Sequence, residues 1–292
     1  MKPPSFEYAA PRTVDEAVAL LAQHENDAKI LAGGQSLMPL LNMRLARPAI
    51  LVDVARIEGL DYIRETDGGL AIGAMTRQRS VEFSEVVKGR YPLIHAATLH
   101  IAHPQNRNQG TVGGSLAHAD PAAEYPAVAL VLDAEFRAVG PAGERRIKAA
   151  DFFLTYLTTA LAPTEVLTEV RFPALPPRTG WSFTEVARRH GDFALTGVVT
   201  RLTSDGAGRC TAAHIVLFGV GATPVRARGA EQLLVGEKLG ERLFEPAGRK
   251  ASEEIDEPLS DVHASAAYRR DLDRVLTRRA LSEAANRAAT AG

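Results

Sequence analysis

The chain has 292 residues, 46% of them hydrophobic, enough for a sizeable core and for two domains. Its 34 basic and 35 acidic side chains leave a net charge of −1, which argues against a dominant electrostatic role on nucleic acid. A single cysteine, Cys210, excludes an intrachain disulfide framework and a cysteine-ligated iron–sulfur cluster held by this chain alone.

In chain order, Met1-Lys2-Pro3-Pro4-Ser5-Phe6-Glu7-Tyr8 lacks the apolar core of a Sec signal, so the expected location is cytoplasmic. Thr13-Val14-Asp15-Glu16 reads as a capping box opening a helix, with Val14, Ala17, Val18 and Leu21 on one face. A strand at 29–32 leads into a first glycine loop, Gly33-Gly34-Gln35-Ser36, and a second strand follows at 50–54. This compact opening forms a first subdomain, 1–55. A hairpin is expected around Thr66-Asp67-Gly68-Gly69, then helices over 76–83 and 93–102. After Arg107 comes a second glycine loop, Gly110-Thr111-Val112-Gly113-Gly114-Ser115. Asp120 is placed to cap a helix with Pro121 in its first turn, running through the apolar segment 127–132, which is far too short to cross a bilayer. No direct membrane insertion is expected. Strands at 134–139 and 166–172 close a second subdomain, 56–175. Pro173-Ala174-Leu175-Pro176-Pro177 reads as a linker. Beyond it, in a third domain at 178–288, strands are expected at 181–187, 196–202 and 211–218, with Asp205-Gly206 as a hairpin turn between the last two. Helices dominate after Val225. The charges of the last one, 268–288, including Arg269, Arg270, Asp271, Asp273 and Arg274, read as a solvated face.

The glycine loops carry the chemistry. A Gly-Gly pair exposes backbone N–H groups, permits positive φ and lets an anion approach closely, although taken singly it also makes an ordinary turn. Ser36 and Ser115 each add a hydroxyl donor. One such loop suits a monophosphate; two that converge suit the diphosphate of a dinucleotide. Neither is a Walker A loop or a Rossmann fingerprint, so a nucleotide site here requires a different fold.

The segments 31–48, LAGGQSLMPLLNMRLARP, and 107–126, RNQGTVGGSLAHADPAAEYP, resemble the FAD-binding medium subunit of molybdenum hydroxylases, the carbon monoxide dehydrogenase and xanthine dehydrogenase family. VARRHGDFAL at 186–195 resembles a motif at the start of that family's C-terminal domain. The resemblance spans essentially the whole chain. It implies an α+β architecture: a vanillyl-alcohol-oxidase (PCMH)-type FAD-binding fold of two α/β subdomains, followed by a C-terminal α+β domain with a three-stranded antiparallel sheet and helices. It implies that FAD is held by Ala32, Gly33, Gly34, Gln35 and Ser36 and by Thr111, Val112, Gly113, Gly114 and Ser115. Further FAD contacts would fall on Ile101, Glu124 and the backbone near Leu167, and Phe193 matches an aromatic position that can cover the flavin ring. Some relatives have Asn where this chain has Ser115.

Single residues keep two readings at this stage. Glu124 suits the hydroxyls of a ribose or ribitol chain, or it is a solvated carboxylate in a helix first turn. Arg107 offsets phosphate charge or pairs with a surface carboxylate. Arg44 and Arg47 are surface charge or a docking site for an iron–sulfur subunit. His100 and His103 have i,i+3 spacing but no convincing third metal ligand. His103 and His118 lie near the expected site by sequence. No catalytic acid–base pair, nucleophilic triad or metal site stands out.

The function implied is that of an FAD-carrying electron-transfer subunit. It would take electrons from an iron–sulfur subunit and pass them to a terminal acceptor. Molybdopterin and two-iron two-sulfur clusters are expected in a large and a small partner subunit, in a dimer of heterotrimers. The alternatives are a stand-alone FAD-dependent oxidase or reductase of the same fold, and a non-catalytic assembly protein that keeps the loops only as turns.

Overall fold

The computed structural model describes residues 2–291; Met1, part of the N-terminal reading above, and Gly292 lie outside the described residues. The chain opens with β1 (Glu7–Ala9), α1 (Val14–His24), β2 (Ala28–Leu31), α2 (Leu37–Asn42) and β3 (Ile50–Asp53). The strands form a parallel sheet in the order β1-β3-β2. Ala17, Val18 and Leu21 of α1 pack with Ile50 and Val52 of β3 as their helical spacing requires. The capping box is half made. Thr13 Oγ1 accepts from the Glu16 amide at 3.1 Å, while Glu16 Oε2 accepts from Arg12 N at 2.7 Å, one residue earlier than the full motif requires.

Next come β4 (Ile63–Thr66), β5 (Gly69–Gly73), and the helices α3 (Gln78–Phe83), α4 (Glu85–Arg90), α5 (Pro92–His100), α6 (Pro104–Arg107), α7 (Val112–His118) and α8 (Glu124–Val131). Then follow β6 (Glu135–Gly140), β7 (Gly143–Lys148), β8 (Phe153–Thr155), β9 (Thr158–Thr159) and β10 (Val166–Pro173). A five-stranded antiparallel sheet, β4-β5-β10-β6-β7, backs the helices. Every residue of α8 is buried, and the helix fills the core beside Phe136, Phe152, Leu93 and Ile94. Asp120 does not cap it. The Asp120 carboxylate accepts from the Ala122 amide at 2.9 Å in a turn of its own, and Ala123 is the N-cap.

The last third contains β11 (Thr179–Ala187), β12 (Ala194–Ser204), β13 (Cys210–Phe218), β14 (Val225–Arg226), α9 (Arg228–Gln232), α10 (Glu241–Glu253) and α11 (Ala266–Thr290). The antiparallel sheet has four strands, β11-β12-β13-β14, because two residues at 225–226 pair beyond the three expected. All eleven residues of β12 are buried. Alternate side chains serve opposite cores: Val199 joins the core around α8, and Val198 and Leu202 join the one beneath α10 and α11. The sheet is therefore packed on both faces. The boundary is also ion-paired, since Asp133, which follows α8, meets Arg201 at 2.6 Å and Arg226 at 3.0 Å.

The charges of α11 are not all on a solvated face. Arg269 and Asp273 are buried, four residues apart on the core side. Arg269 donates to the carbonyls of Leu195 and Gly219 and to Asp261, and Asp273 accepts from the Thr196 hydroxyl. Arg270 and Asp271 do face solvent.

Candidate functional site

The first glycine loop begins where β2 leaves the parallel sheet. Gly34 has φ +73°, a conformation that a side chain strains, and its carbonyl accepts from Met38 N at 3.0 Å to start α2. Among the described residues, the amides of Gly33, Gly34, Gln35 and Ser36 have no protein acceptor, and the Ser36 hydroxyl makes no capping bond. This loop presents a set of free donors on a half-exposed surface.

The second loop is built differently. Gly110 O accepts from Gln78 N, Val112 N donates to Thr76 O at 2.9 Å and Gly113 N donates to Ala74 O at 2.8 Å. Thr111 caps α7 by accepting from Gly114 N at 3.0 Å. Most of its amides are therefore spent inside the chain, contrary to the expectation of two equal donor loops. Val112 and Gly113 are buried, whereas Gly114 and Ser115 remain half-exposed. Gly113 is needed for packing: a Cβ there would lie 2.5 Å from the Ala74 Cβ.

The two loops converge. A Cβ on Gly33 would stand 2.4 Å from the Gln109 carbonyl oxygen and 2.9 Å from Gly110 Cα, and one on Gly114 would stand 3.4 Å from the Ala32 Cβ. Asn106 Nδ2 donates to Gln35 Oε1 at 3.1 Å across the junction, and Arg77 donates to the Gln109 carbonyl. Asn106, Gln109 and Arg77 were not singled out from the sequence. Asn106 and Arg77 stand just outside the two glycine segments, and only the folded backbone brings them there.

Arg107 follows neither of its two sequence readings. It is buried, pairs with Glu82 at 2.9 Å and donates to the Ile101 carbonyl at 2.8 Å. Its charge braces the α5–α6 turn from inside, where Ala102 adopts φ +43°. The Ile101 side chain is itself buried, and so is Leu167 on β10.

From the loops, α7 leads about 10 Å, at 1.5 Å per residue, toward the turn that precedes Glu124. Glu124 is buried at the start of α8, and burial together with the nearby Glu185 pushes its carboxyl up to about 8. It is not the solvated first-turn carboxylate. His100 Nδ1 lies 3.0 Å from Glu185 Oε1, across the boundary between α5 and β11. The loop after β11 folds back on the α5–α6 turn: Gly191, at φ +84°, leaves only 2.6 Å between a would-be Cβ and His103 Cε1. Phe193 follows on that loop, 68% exposed.

His100 and His103 do not form a metal pair, because one contacts Glu185 and the other faces His190 with ring centroids 6.4 Å apart. Among the described residues no group of three metal-ligating side chains exists. Cys210 is buried, and burial pushes its thiol up to about 11, far from a reactive thiolate. No helix is long and apolar enough to cross a membrane among the described residues.

Residues 4–175 match the family described as FAD binding domain in molybdopterin dehydrogenase, and residues 181–284 match CO dehydrogenase flavoprotein C-terminal domain. The chain belongs to the FAD-binding medium-subunit family of molybdenum hydroxylases. It is an oxidoreductase subunit with an FAD-binding fold of the PCMH type. It is 43% identical, over 99% of its length and 97% of the relative's, to the 6-hydroxypseudooxynicotine dehydrogenase complex subunit alpha of Paenarthrobacter nicotinovorans. It superposes with TM-score 0.95 and 40% identity on carbon monoxide dehydrogenase from Hydrogenophaga pseudoflava lacking the Mo-pyranopterin moiety of its molybdenum cofactor, covering 98% of this chain and 99% of that one. Quinoline 2-oxidoreductase from Pseudomonas putida 86 gives TM-score 0.93 and 39% identity over 99% of this chain and 100% of the other.

The residues present fit the family's cofactor. Free backbone donors, a hydroxyl and a glycine junction that a Cβ would fill make a cradle for phosphate oxygens at the first loop. The second loop contributes Gly114, Ser115 and its close approach to Ala32.

Proposed function

We propose that this chain is the electron-transfer flavoprotein subunit of a three-subunit molybdenum hydroxylase. The observation that carries this reading is the convergence of the two glycine loops around a row of unspent amides, inside a chain whose whole length matches the family. FAD would be held at the diphosphate by residues 32–36 and by Thr111, Gly114 and Ser115, with Val112 and Gly113 supporting from within. Ile101 and Leu167 would line the groove beneath, and Glu124 and Phe193 would mark its ring end. When bound, the isoalloxazine supplies the two-electron and one-electron chemistry; the protein's part is binding, orientation and exclusion of water.

Electrons would come from two-iron two-sulfur clusters in a small subunit, themselves fed by molybdopterin in a large subunit, and leave for a terminal acceptor. The assembly would be a dimer of heterotrimers in the cytoplasm. The three-part division at 55 and at 175–178 follows the three sheets. With one buried cysteine and no metal-ligating group of three among the described residues, this chain lacks the ligands for those clusters. Relatives named for a nicotine derivative, carbon monoxide and quinoline are about equally similar to it, which is expected if the organic substrate is chosen on another subunit.

The test begins with the holoenzyme, from which acid should release FAD rather than FMN and with which molybdenum and iron should co-purify. In stopped-flow mixing with the holoenzyme's substrate, the three-subunit complex should bleach its flavin and the isolated chain should not. Bleaching of the isolated chain would favour the stand-alone oxidase, and a colourless chain would favour the assembly protein.

A further inference from the structure

Glu124 and Glu185 form an acid cluster that no loop motif explains. Glu124 opens α8, and apart from its own backbone amide its carboxyl has no hydrogen-bond partner among the described residues. Glu185 comes from β11, on the other side of the boundary; its side chain is 5% exposed, and its Oε2 is buried with no partner. Two poorly satisfied carboxyls facing one another in a buried place favour a proton held on one of them. His100 on α5 connects the cluster outward, with Nδ1 at 3.0 Å from Glu185 and its ring 43% exposed. Beside it opens a cavity of about 330 Å3 lined by Leu99, His100, Glu185, Ala187, Arg189 and His190.

The other charged or titratable groups around Glu124 are few. Asp120 lies in the turn before it and adds negative charge. His118 ends α7, and burial pushes its imidazole below the ordinary value, which favours the neutral form. Arg107 is committed to Glu82, and Arg189, His190 and His103 stand on the cavity side. No cation is therefore bonded to the Glu124 carboxyl among the described residues.

We propose that Glu124 is a proton-holding acid that takes up one proton from solvent, through the His100–Glu185 cavity, when negative charge enters the groove beside the glycine loops. The proposal rests on the reading that this groove takes FAD. The balance is simple: one proton leaves water or buffer and forms one O–H bond on the Glu124 carboxylate, with no electron transferred. Because the incoming diphosphate is anionic, it raises the proton affinity of Glu124 further. Affinity is then flat with pH while Glu124 is already protonated, and falls as pH rises past the free-state value, up to about tenfold per pH unit.

The experiment titrates FAD into the full chain freed of flavin between pH 6 and pH 9.5, reading quenching of flavin fluorescence, with an indicator dye in weakly buffered solution. The wild-type chain should bind with constant affinity up to about pH 8, weaken above it, and take up protons on binding in that upper range. Glu124→Gln, neutral at every pH, should bind with a flat profile and no proton uptake. Glu185→Gln removes a charge that holds the Glu124 proton, so the fall should begin at lower pH; this variant also serves if Glu124→Gln does not fold. A Glu124→Gln profile that falls as the wild type does, or wild-type binding without proton uptake, overturns the proposal. A wild-type chain that binds no FAD at any pH overturns the cofactor reading and the proposal together, and binding with a flat wild-type profile overturns the proposal alone.

Discussion

Gly33→Ala tests whether the two glycine loops act as one site. The added methyl would meet backbone, not a flexible side chain, at 2.4 Å from the Gln109 oxygen and 2.9 Å from Gly110 Cα, where ordinary contact begins at 3.4 Å. The loops must part by about 1 Å. Forcing extra volume into close packing costs about 1–3 kcal/mol. If that cost falls on the assembled site, FAD affinity drops by roughly 5–150-fold; if it falls on the fold, the melting temperature drops by about 2–4 °C per kcal/mol. Fluorescence titration with FAD and thermal unfolding of the same preparation separate the two. Gly34→Ala is a graded comparison, because its methyl meets the movable Met38 and Leu31 side chains at 3.3 and 3.4 Å and its cost is that of φ +73°, about 1 kcal/mol. Gly89→Ala, in α4 with nothing within 4 Å, is the control and should be neutral or stabilising by up to about 1 kcal/mol. A Gly33→Ala chain with wild-type affinity and wild-type melting temperature would refute the idea that loop contact builds the site.

Arg107→Met should destabilise by about 3–5 kcal/mol in urea unfolding, because it leaves Glu82 buried without its partner, and adding Glu82→Leu should recover much of the loss. Asp273 is raised to about 7 by burial, despite the Thr196 hydroxyl that favours its charge. Its folded value lies above its unfolded one, so the folded state holds the extra proton and stability falls as pH rises from about 4 to about 7, by at most about 1.4 kcal/mol per pH unit. Asp273→Asn should remove that slope in thermal or urea unfolding across the same window. Phe193 is 68% exposed, so Phe193→Ala should leave stability within about 0.5 kcal/mol while altering the visible spectrum of bound flavin; an unchanged spectrum would remove Phe193 from the ring site.

Local patterns in the sequence were enough for much of the architecture. The apolar spacing of α1, the strands at β2, β3, β10, β12 and β13, and the hairpin turns at Gly68-Gly69 and Asp205-Gly206 each depend on near neighbours, and each formed. The short edge strands β1, β7 and β14 were not legible, because pairing with a distant partner makes them strands. The glycine loops stood out as motifs and carried the family resemblance, but their division of labour did not. Whether an amide is free or spent depends on segments such as 74–78, which reach the second loop only in the folded chain. Charge was the least legible property. Arg107, Glu124, Arg269 and Asp273 read as ordinary polar positions or had two open readings, yet all four are buried. A side chain's charge is written in the sequence; the dielectric around it and the partner it meets are set by packing between elements far apart in the chain, and these decide whether it binds, braces or holds a proton.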